Sequence, residues 1–121
     1  MPKRILVVDD ERDIVAFIKA CLERAGYQVG TAKNGREALE YVAANKPDLI
    51  LIDQMMPEMD GLETLKKLKS DAATSGIPAV MLTAKDAPAD MMKGWESGTD
   101  LYLVKPIMPR ELLEYIQCIL D

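Results

Sequence analysis

The strongest constraint on the fold is an alternation of two hydrophobic patterns along all 121 residues. Short aliphatic runs, typical of strands buried on both faces, alternate with segments whose apolar residues recur at helical spacing. Because strands and helices alternate, we expect right-handed crossovers and a parallel sheet covered on both faces. The predicted strands are Ile5–Val8, Val29–Ala32, Leu49–Ile52, Ala79–Leu82 and Leu101–Val104.

The helical segments carry their own end signals. Gly26 is a predicted C-cap for the first helix, and Asn34, with Glu37 three residues later, is a predicted N-cap for the second. The third helix carries Leu62, Leu65 and Leu68, the fourth covers residues 86 to about 97, and the fifth starts at Pro109.

Five strand–helix units of this size fit one domain over residues 1–121. The predicted fold class is α/β, a doubly wound (βα)5 three-layer sandwich with the flavodoxin-like sheet order 2-1-3-4-5. In that order the first and third strands flank the topological switch point. We therefore expect the functional crevice at their carboxyl ends.

Composition excludes several kinds of chemistry. The chain has no histidine, which rules out Ser-His-Asp hydrolysis, Cys-His catalysis and a histidine-ligated metal within one chain. Its net charge of −5, with no cluster of basic and aromatic residues, argues against direct binding of nucleic acid. Cys21 and Cys118 fall on apolar phases of predicted helices, so we expect buried, reduced thiols.

The sequence also bears on location. No apolar run approaches the roughly 18 to 20 residues that a membrane span requires, which predicts a soluble protein. The N-terminus lacks the long apolar region and the small-residue cleavage site of a signal peptide. The prediction is a cytoplasmic protein that does not bind membranes.

Polar residues follow or close four of the five predicted strands. The first strand is followed by Asp9 and Asp10, the third by Asp53, the fourth by Thr83 and the fifth by Lys105. Each residue alone has an ordinary structural explanation; Asp9 or Asp10, for example, could cap the following helix. Because parallel strands end at the same rim, we expect all five side chains around one cleft.

Such a cluster favours a specific chemistry. Carboxylates about 4–6 Å apart repel by several kcal/mol at an effective dielectric constant of about 20, so they protonate, separate or bind a cation. An all-oxygen site suits Mg²⁺. With Lys105 and Thr83 opposite, it forms a pocket for a tetrahedral dianion, which is typical of phosphoryl transfer. The central Asp53 is the predicted nucleophile.

Further motifs occur in a fixed order along the chain. They are Ile5–Asp10, Asp53–Pro57, Asp60-Gly61, Met81–Ala84, Gly98–Tyr102 and Lys105-Pro106. With these motifs the whole chain resembles the receiver domain of two-component response regulators. The resemblance implies a phosphorylation-dependent signalling switch rather than an enzyme, one that catalyses only its own phosphorylation and dephosphorylation.

The resemblance also implies roles for individual residues. Asp53 would accept a phosphoryl group from a phosphohistidine on a sensor histidine kinase or a phosphotransfer protein. Asp10 and Asp53 would bind Mg²⁺ together with the backbone carbonyl of Met55, and Asp9 would assist through water. Lys105 and Thr83 would hold the phosphoryl oxygens.

The same resemblance implies how the signal leaves the site. Phosphorylation would draw Thr83 inward and let the aromatic Tyr102 turn inward, which would alter the face of the fourth helix, fifth strand and fifth helix. That face would then control a downstream protein target or an output domain, or form a homodimer.

The chain departs from the family pattern on that face. Ile107 stands where the family usually has phenylalanine, and apolar residues replace charges that many relatives use for dimerisation, although Glu111 persists. We interpret the change as an apolar patch for a partner or for self-association, made of Met91, Leu101, Met108 and Tyr115.

Three alternatives come from other functional classes. A small Mg²⁺-dependent phosphohydrolase would share the aspartyl-phosphate, but Asp9 and Asp10 are adjacent where its usual motif has a residue between them. A mononucleotide binder of the same sheet order would need an anion-accepting first loop, whereas Asp9-Asp10-Glu11 repels phosphate. A phosphorylation-independent docking module would not need the five key residues, all of which are present.

Overall fold

A computed structural model describes residues 3–53, 61–83, 101–104 and 108–120. The strands are β1 (Arg4–Val8), β2 (Gln28–Ala32), β3 (Leu49–Asp53), β4 (Ala79–Thr83) and β5 (Leu101–Val104). The helices within the described ranges are α1 (Arg12–Arg24), α2 (Gly35–Ala44), α3 (Gly61–Ser70) and α4 (Pro109–Leu120). The predicted helix at residues 86 to about 97 lies outside the described residues. None of the described helices is long and apolar enough to cross a membrane.

The five strands form one parallel sheet in the order β2-β1-β3-β4-β5, which confirms the predicted order. The register sets Val8 opposite Ile52 in β3, and Thr83 opposite Val104 in β5. Strands that start and stop together in this way end at a common rim. The doubly wound α/β fold therefore brings the residues that end β1 and β3 side by side.

Two separate cores sandwich the sheet, because successive side chains of a strand point to opposite faces. The core beneath α2 and α3 is formed by Leu6, Val8, Ala32, Ala38, Val42, Ile50, Ile52, Leu65, Leu68, Ala79 and Met81. The core beneath α1 and α4 is formed by Ile5, Val7, Ile18, Leu22, Leu49, Leu51, Val80, Leu82, Leu103, Leu112 and Ile116. Central strands packed on both sides hold the rim residues in fixed positions.

The predicted N-cap of α2 is confirmed, whereas the C-cap of α1 is Ala25, one residue before the predicted Gly26. Gly26 follows α1 with a φ of 100°, a left-handed conformation that favours glycine. The side chain of Asn34 accepts a hydrogen bond of 2.8 Å from the backbone N–H of Glu37, as an N-cap does. The Glu37 carboxylate in turn accepts from the backbone N–H of Lys33 at 3.1 Å, so the turn before α2 is held from both sides.

The expectation of buried thiols is wrong for Cys118, which is exposed, and Cys21 is only half-buried. Helix α4 buries Leu112 and Ile116. Cys118 follows Ile116 by two residues, about 200° around the helix axis, and this rotation turns it toward solvent.

Gly30 in β2 leaves room for the ring of Tyr41 in α2. A methyl group at Gly30 would overlap the phenol of Tyr41, which is half-buried against the α2–α3 core. We expect Gly30→Ala to lower the free energy of unfolding by about 1–3 kcal/mol in urea denaturation, because the ring must move. Gly76→Ala is the control, since nothing lies within 4 Å of a methyl group at Gly76. Equal losses in both variants would contradict the packing role.

Candidate metal centre

The acidic residues at the switch point meet because of the strand register. Val8 and Ile52 are paired, and the residues that follow them, Asp9 and Asp53, are neighbours across the two central strands. Asp9 is 2% exposed and Asp53 is 5% exposed. Asp10 follows Asp9 and is exposed to solvent. The fold therefore buries two carboxylates and places a third at their edge.

The three carboxylates converge. One oxygen each from Asp9, Asp10 and Asp53 lies within 4.8 Å of the other two. At such distances the mutual repulsion is a few kcal/mol per pair at an effective dielectric constant of about 20. A bound cation removes that cost, and three carboxylate oxygens are a ligand set that Mg²⁺ accepts. The residues present fit a magnesium ion.

Neither Asp9 nor Asp10 is the N-cap of α1. The N-cap is Glu11, whose side chain makes no capping hydrogen bond. One oxygen of Asp9 accepts a hydrogen bond of 3.0 Å from the backbone N–H of Glu11, and the backbone N–H of Asp9 donates to the carbonyl of Ala32 at 3.1 Å. These bonds fix Asp9 at the end of β1, beside the neighbouring strand β2.

Two of the remaining predicted site residues lie in β4 and β5. Thr83 is the last residue of β4, and its backbone is one position beyond Leu82, the partner of Asp53. Tyr102 is in β5, opposite Met81. Met55 and Lys105 lie outside the described residues.

A cleft beside the acidic cluster was not predicted from the sequence. It has a volume of about 380 Å³ and lies between α1, the end of β2 and the start of α2. Asp9 and Asp10 form one side, and the other lining residues include the basic side chains of Arg12, Lys19 and Lys33. The seven-residue spacing of Arg12 and Lys19, which places both on one side of a helix, was the available sequence signal.

Fold and site together define a class of protein: a doubly wound parallel α/β domain with three convergent carboxylates, a set that fits a cation, at its switch point. The response regulator receiver domain family matches residues 5–117. The chain belongs to this family, the receiver domains of two-component response regulators, which act in phosphorylation-dependent signalling and generally use Mg²⁺.

Two regulators illustrate the similarity in sequence. The chain is 47% identical over 120 residues to the alkaline phosphatase synthesis transcriptional regulatory protein PhoP of Bacillus subtilis, covering 99% of this chain and 49% of that protein. It is 43% identical to the phosphate regulon transcriptional regulatory protein PhoB of Pseudomonas aeruginosa, covering 98% of this chain and 52% of that protein. The chain thus spans about half the length of these relatives.

Solved structures agree with the fold. A putative response regulator from Chloroflexus aurantiacus superposes with a TM-score of 0.95 at 34% identity, covering 99% of this chain and 98% of that one. The chemotaxis protein CheY4 of Vibrio cholerae superposes with a TM-score of 0.92 at 34% identity, covering 98% of this chain and 99% of that one.

Proposed function

We propose that this chain is a switch that is set by phosphorylation of Asp53. The observation that carries the proposal is the position of Asp53: it is buried at the end of the central strand β3, with an oxygen within 4.8 Å of carboxylate oxygens of Asp9 and Asp10. A buried carboxylate in such a cluster is held in place as a nucleophile, and its environment favours a cation that can also bind a phosphoryl group.

The phosphoryl donor is a phosphohistidine of a sensor histidine kinase or of a phosphotransfer protein. An oxygen of Asp53 forms the new bond to phosphorus while the bond from phosphorus to the donor's imidazole nitrogen breaks. Asp10, Asp53 and the backbone carbonyl of Met55 would hold Mg²⁺, with Asp9 assisting through water, and the ion would neutralise charge on the phosphoryl oxygens. Lys105 contributes a positive charge and Thr83 a hydroxyl donor to the same oxygens.

The switch couples this site to the surface formed by the predicted helix at residues 86 to about 97, by β5 and by α4, which is the fifth helix predicted from the sequence. The phosphoryl group adds between one and a half and two negative charges, roughly, which recruit the hydroxyl of Thr83. The space that Thr83 leaves admits the ring of Tyr102, and the surface changes with it. The altered surface controls binding of a downstream target or an output domain, so the chain acts on no external substrate.

Residues 1–121 are proposed to form one receiver domain that works in the cytoplasm, away from membranes, without contacting nucleic acid itself. This chain matches only about half the length of PhoP and of PhoB, and this supports an output segment as one form of the target.

Phosphoryl uptake tests this function directly. The protein is incubated with Mg²⁺ and acetyl phosphate, and its intact mass is measured. We expect a single phosphate adduct, whereas no uptake would reject the proposal. Continuous turnover of a free phosphoester such as p-nitrophenyl phosphate would favour the phosphohydrolase instead.

Two exposed apolar residues, Met108 directly before α4 and Tyr115 within it, support self-association of the phosphorylated form. Met108 is 61% exposed and Tyr115 is 42% exposed. Met108 begins the turn that leads into α4, where its carbonyl accepts a hydrogen bond of 3.1 Å from the backbone N–H of Leu112. We expect Tyr115→Glu to weaken the dimer at least about tenfold in sedimentation experiments, because a charge would be buried. Gln117→Glu, an exposed position on another side of α4, is the control. Unchanged assembly and partner binding in Tyr115→Glu would contradict the role of the patch.

A further inference from the structure

The cleft beside the acidic cluster has a rigid wall. On the α2 side, the Asn34 cap and the Glu37 carboxylate hold the turn that presents Lys33. The opposite wall is α1, whose residues Ile18 and Leu22 are buried in the core. A cleft between two fixed walls keeps its shape when a ligand binds, and this lowers the entropic cost of binding.

Only one of the three basic side chains that line this cleft forms an ion pair within the described residues. Lys33 pairs with Glu37, nitrogen to oxygen at 3.7 Å. Arg12 and Lys19 form no ion pair with any residue in the described parts of the chain. The remaining carboxylates of the lining, Asp9 and Asp10, belong to the acidic cluster. Two cations are therefore available to an incoming anion.

The two cations are separated by an apolar stretch. Arg12 is the first residue of α1, close in sequence to the acidic rim. Lys19 lies two turns further, about 10 Å along the helix axis. Between them, Val15 and Ala16 line the cleft together with Ala32 of β2. This order of polar and apolar surface suits a ligand with a phosphoryl end, a short apolar body and an anionic tail.

We propose that the cleft recognises the leaving group of an acyl phosphate that carries a second anionic group, so that Asp53 takes phosphoryl groups preferentially from such small donors. This inference rests on the proposed function of Asp53. In the transfer, an oxygen of Asp53 bonds to phosphorus and the bond from phosphorus to the acyl oxygen breaks. The electron pair leaves with that oxygen, and the product is a dicarboxylate that needs no proton.

The net negative charge of the chain makes the two available cations of the cleft important for binding an anionic donor. With a net charge of −5 and three clustered carboxylates, the surface around Asp53 repels anionic donors in general. Arg12 and Lys19 create a local exception in the cleft that Asp9 and Asp10 border, and an oxygen of each of these aspartates lies within 4.8 Å of an Asp53 oxygen. Opposite charges near a site raise the rate of encounter and orient the ligand. A donor that carries one more negative charge should be attracted by both cations and so bind more tightly.

A matched pair of donors isolates the effect of the second charge. Benzoyl phosphate and 4-carboxybenzoyl phosphate share the aromatic body and the acyl phosphate, and differ by one carboxylate. With Mg²⁺ present, we expect the carboxylated donor to phosphorylate the protein roughly fivefold faster at low donor concentration. Equal rates would overturn the inference but leave the proposed function intact, whereas no transfer from either donor would reject both.

Variants assign the effect to the cleft. Arg12→Gln and Lys19→Gln should each bring the ratio of the two rates toward one. Lys67→Gln makes the same charge change at an exposed position of α3, on the other face of the sheet, and should leave the ratio unchanged. An unchanged ratio in both α1 variants, or an equal fall in Lys67→Gln, would contradict the assignment.

A binding measurement gives a readout that does not depend on transfer. Terephthalate, the dicarboxylate that the carboxylated donor releases, is titrated into the unphosphorylated protein with benzoate as the control. We expect terephthalate to shift the backbone amide signals of Arg12, Lys19 and Thr31 at concentrations where benzoate does not. The same shifts with both acids, or with neither, would reject the anion site.

Discussion

Asp53→Asn should abolish the phosphate adduct, with a loss of at least about a thousandfold in the rate of uptake from acetyl phosphate. The amide is a poor nucleophile, and it cannot form the acyl phosphate that a carboxylate forms. Intact mass after incubation with Mg²⁺ and donor measures the loss. Asp13→Asn is the matched control, since it removes an exposed carboxylate from the first turn of α1.

A folding defect would be separable from this loss. The asparagine side chain has nearly the shape of aspartate, and the substitution would remove one member of a mutually repelling group of carboxylates. We therefore expect Asp53→Asn to stay folded and to unfold in a single cooperative urea transition when no divalent cation is present. An adduct on a well-folded Asp53→Asn variant would place the phosphoryl group elsewhere and contradict the proposal.

The fold could be predicted because its strands are buried on both faces. A run such as Leu49–Ile52 has no polar alternate positions, which excludes a strand with one face in water and requires helices on both sides. With helices between the strands, few sheet orders are physically available. The third strand ends at Asp53, as predicted, and this polar residue still pairs with Leu82 of β4.

The meeting of Asp9 and Asp53 also followed from the sequence, since both come after equally long apolar runs in adjacent parallel strands. The sequence did not separate buried Asp9 from exposed Asp10, because that difference depends on the path of the chain after β1. The exposure of Cys118 and the cleft lined by Arg12 and Lys19 depend on how each helix is rotated against the sheet. Periodicity gives that rotation only approximately.

Magnesium should stabilise the folded protein, and Asp10→Asn should reduce that stabilisation. A ligand that binds only the native state raises the free energy of unfolding in proportion to the logarithm of its concentration over Kd. Replacing one carboxylate of the cluster should weaken the site about tenfold or more, which is about 1.4 kcal/mol at saturating Mg²⁺. Urea denaturation with Mg²⁺ and with a chelator measures the stability of the metal-bound and the metal-free protein. The rate of phosphoryl uptake should fall as the affinity for Mg²⁺ falls.

Asp10→Asn should change the free energy of unfolding in opposite directions without a divalent cation and with Mg²⁺. This distinguishes a metal ligand from a residue that serves folding alone. Without a divalent cation, the substitution removes repulsion among three carboxylates, so the variant should be as stable as the original protein or more stable. With Mg²⁺, the original protein should gain more than the variant, because only the original keeps all three charged ligands. A residue needed for folding alone would lose stability equally in both conditions. Glu23→Gln, an exposed carboxylate near the far end of α1, should change neither difference.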